Sequence, residues 1–205
     1  MDLRSHFPLI AILRGITPDK VDAHVAALIE CGFGLIEIPT NSPRWRQRVE
    51  SALKLAGTRA LIGAGTVLTL DDANALADTG ARLMVTPNTD AEVIAAAVRR
   101  GLLCAAGFAT PSEAFAALKA GAQALKLFPA IQFGTGYVRA LKAVLPSDVP
   151  LFAVGGITPA NLSEFLDAGC HGAGLGSDLY KAAQTPEETR TRALSFIDSF
   201  RNHRR

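Results

Sequence analysis

The chain has 205 residues, 49% of them apolar and 20% charged, a balance that supports a well-packed core and excludes a disordered chain. Lys and Arg number 21 against 19 Asp and Glu, so the net charge of +2 lacks the basic footprint of a nucleic-acid binder. The longest run without a charged residue, 149–163, contains Pro150, Gly155, Gly156 and Pro159, so no segment reads as a membrane span.

Near the N-terminus the apolar run 7–13 is closed by Arg14 with no small-residue cleavage site behind it. No export signal is read there, and the expected location is the cytoplasm. Cys31, Cys104 and Cys170 are far apart and odd in number, which suits isolated core thiols rather than disulfides or a zinc site.

Short apolar runs rich in β-branched residues then alternate with amphipathic stretches along the whole chain. Strands are predicted at 8–13, 34–38, 60–63, 82–85, 102–105, 123–127, 151–154 and 172–175. Between them, Val21, Val25, Leu28 and Ile29, and again Leu162, Phe165 and Leu166, fall at helical spacing and form stripes that would face a sheet. Thr17-Pro18, Thr110-Pro111, Thr158-Pro159 and Thr185-Pro186 each read as an N-cap threonine followed by proline in the first turn, with Glu113 and Glu188 completing capping boxes. Gly32, Gly80, Gly101, Gly121 and Gly169 stand where helices should stop. The closing residues 201–205 are basic, and read as the frayed end of a helix rather than an anion-binding patch.

Eight strand-helix units predict an α/β protein of the closed (β/α)8 TIM-barrel type, with residues 1–205 as one domain; an open doubly wound sheet would leave two units unplaced. In such a barrel, chemistry sits at the C-terminal ends of the strands. Those ends offer Arg14, Glu37, Thr66 and Lys126, and then two glycine turns, Val154-Gly155-Gly156 and Gly174-Leu175-Gly176-Ser177.

Lys126 lies between Leu125 and Leu127, where an ammonium must find a partner or give up its proton. With its value lowered by burial and by like-charge repulsion, for which Arg14 is a candidate, it becomes an amine nucleophile. Glu37, within Leu-Ile-Glu-Ile-Pro, would be raised by an apolar strand into the range of a general acid and base. The bland alternative for both is a mutual salt bridge. Gly155, Gly156, Gly176 and Ser177 read as a phosphate cradle, because glycine lets backbone N–H groups approach an anion and Gly156-Ile157-Thr158-Pro159 would lead straight into a helix N-terminus. His6, His24, His171 and His203 are scattered without metal-ligand spacing, and Gly63-Ala64-Gly65-Thr66 lacks a full dinucleotide fingerprint, so no metal and no cofactor is required.

These residues resemble the class I 2-keto-3-deoxy-6-phospho-sugar acid aldolases over nearly the whole chain. The resemblance is carried in order by Ile12-Leu13-Arg14-Gly15, Ile36-Glu37-Ile38-Pro39, Gly63-Ala64-Gly65-Thr66-Val67-Leu68, Val85-Thr86-Pro87-Asn88, Leu125-Lys126-Leu127-Phe128-Pro129, Val154-Gly155-Gly156-Ile157-Thr158-Pro159 and Gly174-Leu175-Gly176-Ser177. It implies Lys126 as the Schiff-base lysine, Glu37 as acid/base acting through water, Arg14 and Thr66 near the pyruvate-derived carboxylate, and Gly155, Gly156, Gly176 and Ser177 on the phosphate. It also implies a phosphorylated keto-deoxy sugar acid as substrate and a homotrimer. Where the gluconate branch carries Arg four residues after the catalytic Glu and Thr before the Gly-Gly pair, this chain has Asn41 and Val154, as in the galactonate branch. Two other classes stay open at this stage: a phosphate-binding-barrel isomerase or decarboxylase with a charged Lys126, and a noncatalytic phospho-sugar sensor.

Overall fold

The protein is described by a computed structural model in which residues 3–203 are placed. After a 3-10 turn, Leu3–Ser5, strands and helices alternate without exception: β1 Leu9–Ile12, α1 Val21–Cys31, β2 Leu35–Pro39, α2 Trp45–Ala56, β3 Leu61–Gly65, α3 Leu70–Asp78, β4 Leu83–Val85 and α4 Ala91–Arg99. The second half continues with β5 Leu103–Phe108, α5 Pro111–Lys119, β6 Ala124–Leu127, α6 Ala130–Lys142, β7 Leu151–Val154, α7 Leu162–Asp167, β8 Gly172–Leu175 and α8 Pro186–His203. Each strand pairs in parallel with the next, and β1 closes on β8 with Ile10 opposite Gly174, giving an eight-stranded barrel. All eight predicted strands are present, with one or both ends moved by one to three residues except in β7 and β8, which match at both ends.

Strand alternation sorts the buried residues into two sets. Leu9, Ala11, Ile36, Ile38, Ile62, Ala64, Leu125 and Leu127 join the large core between sheet and helices, where Val21, Val25, Leu28, Leu162 and Phe165 also lie. Ile10, Ile12, Leu35, Leu61, Leu83, Val85, Leu103, Ala105, Ala124, Phe152 and Val154 fill the barrel interior with Leu3. Glu37 follows Leu35 by two and Lys126 follows Ala124 by two, so both take the interior register. Cys31, Cys104 and Cys170 are free and buried, as the spacing implied.

Helix ends follow the expected chemistry in part. Thr110 caps α5, with Glu113 Oε2 accepting in return from the Thr110 N–H at 2.8 Å, and Thr185 and Glu188 repeat the exchange at α8. Thr17 and Thr158, by contrast, are not N-caps: each opens a turn, its carbonyl accepting from Val21 and Leu162 respectively, and α1 and α7 begin only there. Proline supports either geometry in the first turn, so the dipeptide alone does not fix the start. The five glycines expected to end helices all have positive φ, between 79° and 109°. α8 does not fray before its last described residue: Phe200 packs edge-on to Phe7 at 5.0 Å, and His203 Nδ1 lies 3.6 Å from Asp167. Arg204 and Arg205 lie outside the described residues. Among the described residues no helix is long and apolar enough to cross a membrane.

Candidate active site

The loops at the C-terminal ends of the strands enclose a cavity of about 430 Å³. Arg14, Thr66, Lys126, Val154, Gly155, Gly156, Gly176 and Ser177, all singled out from the sequence, line it. Glu37 does not reach its surface; it lies in the barrel wall at 1% exposure. The cavity is completed by Ile12, Pro87, Phe128, Ile157, Gly174 and Asp178, which the sequence reading did not select. Phe128, Ile157 and Asp178 lie within one or two residues of selected positions, so their adjacency was the available signal.

Lys126 is 6% exposed and projects among apolar interior side chains, with its ammonium 4.9 Å from the centre of the Phe128 ring. Burial disfavours its charged form and lowers its pKa to about 8; Glu37 opposes that shift and the Arg14 cation adds to it. Burial likewise raises Glu37 to about 7, against the pull of Lys126, Arg14 and a hydrogen bond from the Gly65 backbone. Glu37 Oε2 is buried without a hydrogen-bond partner, and the expected alternative of a mutual salt bridge is not formed among the described residues. The two groups therefore change charge close to neutrality, as a nucleophile and a proton carrier require. The glycine at 65 is what admits the carboxylate: a Cβ there would stand 2.1 Å from Glu37 Oε2.

Arg14 lies two residues beyond β1, and its Nη1 donates to Asn41 Oδ1 at 3.1 Å. Thr66 follows β3 with φ at 57°, a left-handed conformation that costs a β-branched residue about 1–3 kcal/mol and recurs at ligand sites. Its carbonyl accepts from the Thr40 hydroxyl at 2.6 Å.

At the other side of the cavity, Gly155 and Gly156 have φ of 96° and 75°. Their carbonyls are tied back by the Ile131 N–H at 3.1 Å and by Asn161 Nδ2 at 2.9 Å. In the β8 turn the Gly176 carbonyl accepts from Leu179 at 3.0 Å and Tyr180 at 2.9 Å. Among the described residues nothing accepts from the N–H groups of Gly156, Ile157, Gly176 or Ser177, so two neighbouring turns offer donors to an anion. The expected helix N-terminus does not take part. A turn intervenes, fixed by the Thr158 N–H donating to Asn161 Oδ1 at 2.8 Å, and α7 starts only at Leu162. Val154, 4% exposed, lines the same cavity against Gly174, where a Cβ would come within 2.7 Å of the valine Cγ2. Among the described residues no three His, Cys, Asp or Glu side chains come together to hold a metal ion.

Buried amine, guanidinium and glycine turns thus share one cavity, with the raised carboxylate buried in the barrel behind it, and known proteins present the same chain plan. The family model described as KDPG and KHG aldolase matches residues 3–193. The 2-dehydro-3-deoxy-6-phosphogalactonate aldolase of Escherichia coli (strain K12) is 55% identical over 201 residues, 98% of each chain. The KHG/KDPG aldolase of the same organism is 32% identical over 142 residues, 68% of this chain and 65% of that one. A solved structure described as "Native KDPGal structure" superposes with a TM-score of 0.97 at 55% identity, covering 99% of this chain and 98% of the other. By its motifs, its barrel and these matches, the chain belongs to the KDPG and KHG aldolase family.

Proposed function

We propose that the chain is a lyase, a class I aldolase that cleaves 2-dehydro-3-deoxy-6-phospho-D-galactonate to pyruvate and D-glyceraldehyde 3-phosphate. The observation that carries this reading is Lys126: a buried amine that lines the cavity, has no ion-pair partner among the described residues and interacts electrostatically with a carboxylate of raised pKa. Near pH 7 a lysine lowered to about 8 is roughly one-tenth free amine, about two- to three-hundredfold more than an ordinary lysine.

Lys126 Nζ adds to the C2 ketone, and loss of water from the carbinolamine gives an iminium. Arg14 and Thr66 would hold the C1 carboxylate so that C2 faces the amine, and Gly155, Gly156, Gly176 and Ser177 would hold the phosphate at the other end. Glu37, through water, takes the proton of the C4 hydroxyl. The C3–C4 bond breaks, its electron pair moving into the iminium to form an enamine, and the aldehyde departs. Glu37 returns the proton to C3, and water releases pyruvate from Lys126. Only the lysine forms a covalent bond, so the path calls for no cofactor.

Borohydride reduction in the presence of pyruvate tests the reading directly. A reduced adduct on Lys126 is expected, absent from Lys126→Met; no adduct on the wild-type protein removes the Schiff-base mechanism. The galactonate preference rests on Asn41 and Val154 and on the greater likeness to the galactonate-type relative. Comparing kcat/KM on the two C4 epimers tests it separately, and a gluconate preference changes the substrate while leaving the chemistry. The same reading takes residues 1–205 as one barrel domain working in the cytoplasm as a homotrimer. Exposed Leu68, Leu70, Ile131 and Phe133 supply apolar surface for such an assembly, and a monomer by sedimentation at micromolar concentration would refute it.

A further inference from the structure

We propose that Thr40, Asn41 and Ser42 form a three-point brace that positions the carboxylate receptor of the ketone, Arg14 and Thr66, relative to Glu37. The proposal rests on the aldolase reading and adds three positioning residues to it.

The observation is one of placement. Three consecutive side chains of the β2 turn each reach into a neighbouring loop. The Thr40 hydroxyl donates to the Thr66 carbonyl at 2.6 Å, Asn41 Oδ1 accepts from Arg14 Nη1 at 3.1 Å, and Ser42 Oγ accepts from the Gly15 N–H at 3.0 Å. The turn itself is pinned, with the Thr40 N–H donating to the Gly65 carbonyl at 2.8 Å and the Ser42 N–H to the Pro39 carbonyl at 2.9 Å. Glu37 stands three residues upstream on the same strand. One short segment therefore ties the proton carrier to both sides of the carboxylate receptor.

Each contact suits that task chemically. Thr66 is held at φ 57°, a conformation that a threonine leaves readily, and the bond to its carbonyl opposes the relaxation. An arginine has many rotamers; fixing one nitrogen before a ligand arrives lowers the entropy lost on binding. Asparagine does this as a neutral acceptor, so the guanidinium keeps its full charge for a carboxylate, which an aspartate would have neutralised. Ser42, 2% exposed, fixes the backbone next to Arg14 rather than its side chain.

The test separates carboxylate positioning from general structural support. Imine formation on Lys126 is followed by borohydride trapping against increasing pyruvate and, in parallel, hydroxyacetone, a ketone without a carboxylate. The proteins are wild type, Asn41→Ala, Thr40→Val, Thr40→Ser and Ser42→Ala. Loss of a hydrogen bond that orders a charged receptor is expected to raise half-saturating pyruvate about tenfold in Asn41→Ala and Thr40→Val, and to change the hydroxyacetone dependence less than about twofold. Thr40→Ser, which retains the hydroxyl, is expected to recover pyruvate binding, and Ser42→Ala to fall between. Asn41 is exposed, so its alanine variant folds whatever becomes of the others. Wild-type pyruvate dependence in Asn41→Ala, or equal weakening for both ketones, overturns the brace. Failure of the wild-type protein to trap pyruvate instead removes the aldolase reading, and the brace falls with it.

Discussion

Glu37→Gln preserves the shape of the side chain and removes the one charge that favours protonated Lys126. Burial and the Arg14 cation both push the lysine down, to about 8, and only Glu37 pulls it up. The substitution is therefore expected to make the amine more available even as it disables the enzyme. Each unit by which the pKa falls is about 1.4 kcal/mol, and the first takes the free-amine fraction at pH 7 from about one-tenth to about one-half. Cleavage should meanwhile drop by about 10²–10⁴, because no group remains to take the C4 hydroxyl proton. Competitive acetylation of Lys126 across the neutral and alkaline range, read by peptide mass, reports the amine without requiring turnover. A labelling midpoint that moves to lower pH, with cleavage lost, is the expected pair of results. An unchanged or more alkaline midpoint would refute the electrostatic account of the site.

Lys126→Met should abolish cleavage and stabilise the fold. The folded value of about 8 lies below the unfolded 10.5, so the charged lysine opposes folding fully below about pH 8, and the cost fades as pH rises through the unfolded value. Urea unfolding at pH 7 should show a gain on the order of 3 kcal/mol that shrinks toward pH 10.5, and a less stable variant at pH 7 contradicts this. Gly65→Ala would place a Cβ 2.1 Å from Glu37 Oε2, and kcat should fall at least about a hundredfold as the carboxylate is displaced; unchanged kcat would show that Glu37 is not the proton carrier. Gly156→Ala puts a side chain at φ 75° and 2.6 Å from Ile131 Cβ. KM for the phosphorylated substrate should rise about tenfold while pyruvate trapping on Lys126 stays as in wild type, and the reverse pattern would move the phosphate elsewhere.

The barrel was legible because each strand is a short apolar run with a glycine or Thr-Pro signal close by, and eight such units leave no other common architecture. Lys126 and Glu37 stood out for a related reason: a charge inside an apolar strand has few explanations. What escaped depends on contacts between loops distant in sequence. Thr158-Pro159 carries the local signature of a helix start, yet the side chain of Asn161 accepts from the Thr158 N–H and the helix begins only at Leu162, so no helix N-terminus follows the glycine turn directly. The left-handed Thr66 and the cis Phe128–Pro129 peptide leave no mark in composition or period. Nor does Thr40-Asn41-Ser42, whose partners Arg14, Gly15 and Thr66 lie on two other loops.

The seam between β1 and β8 has a consequence for biosynthesis. Arg14 and Ser177, near opposite ends of the polypeptide, face one cavity only because those strands zip together. A nascent chain that ends before β8 lacks the Gly174, Gly176, Ser177 and Asp178 wall of that cavity. The cavity is therefore closed only once the last strand has paired with the first.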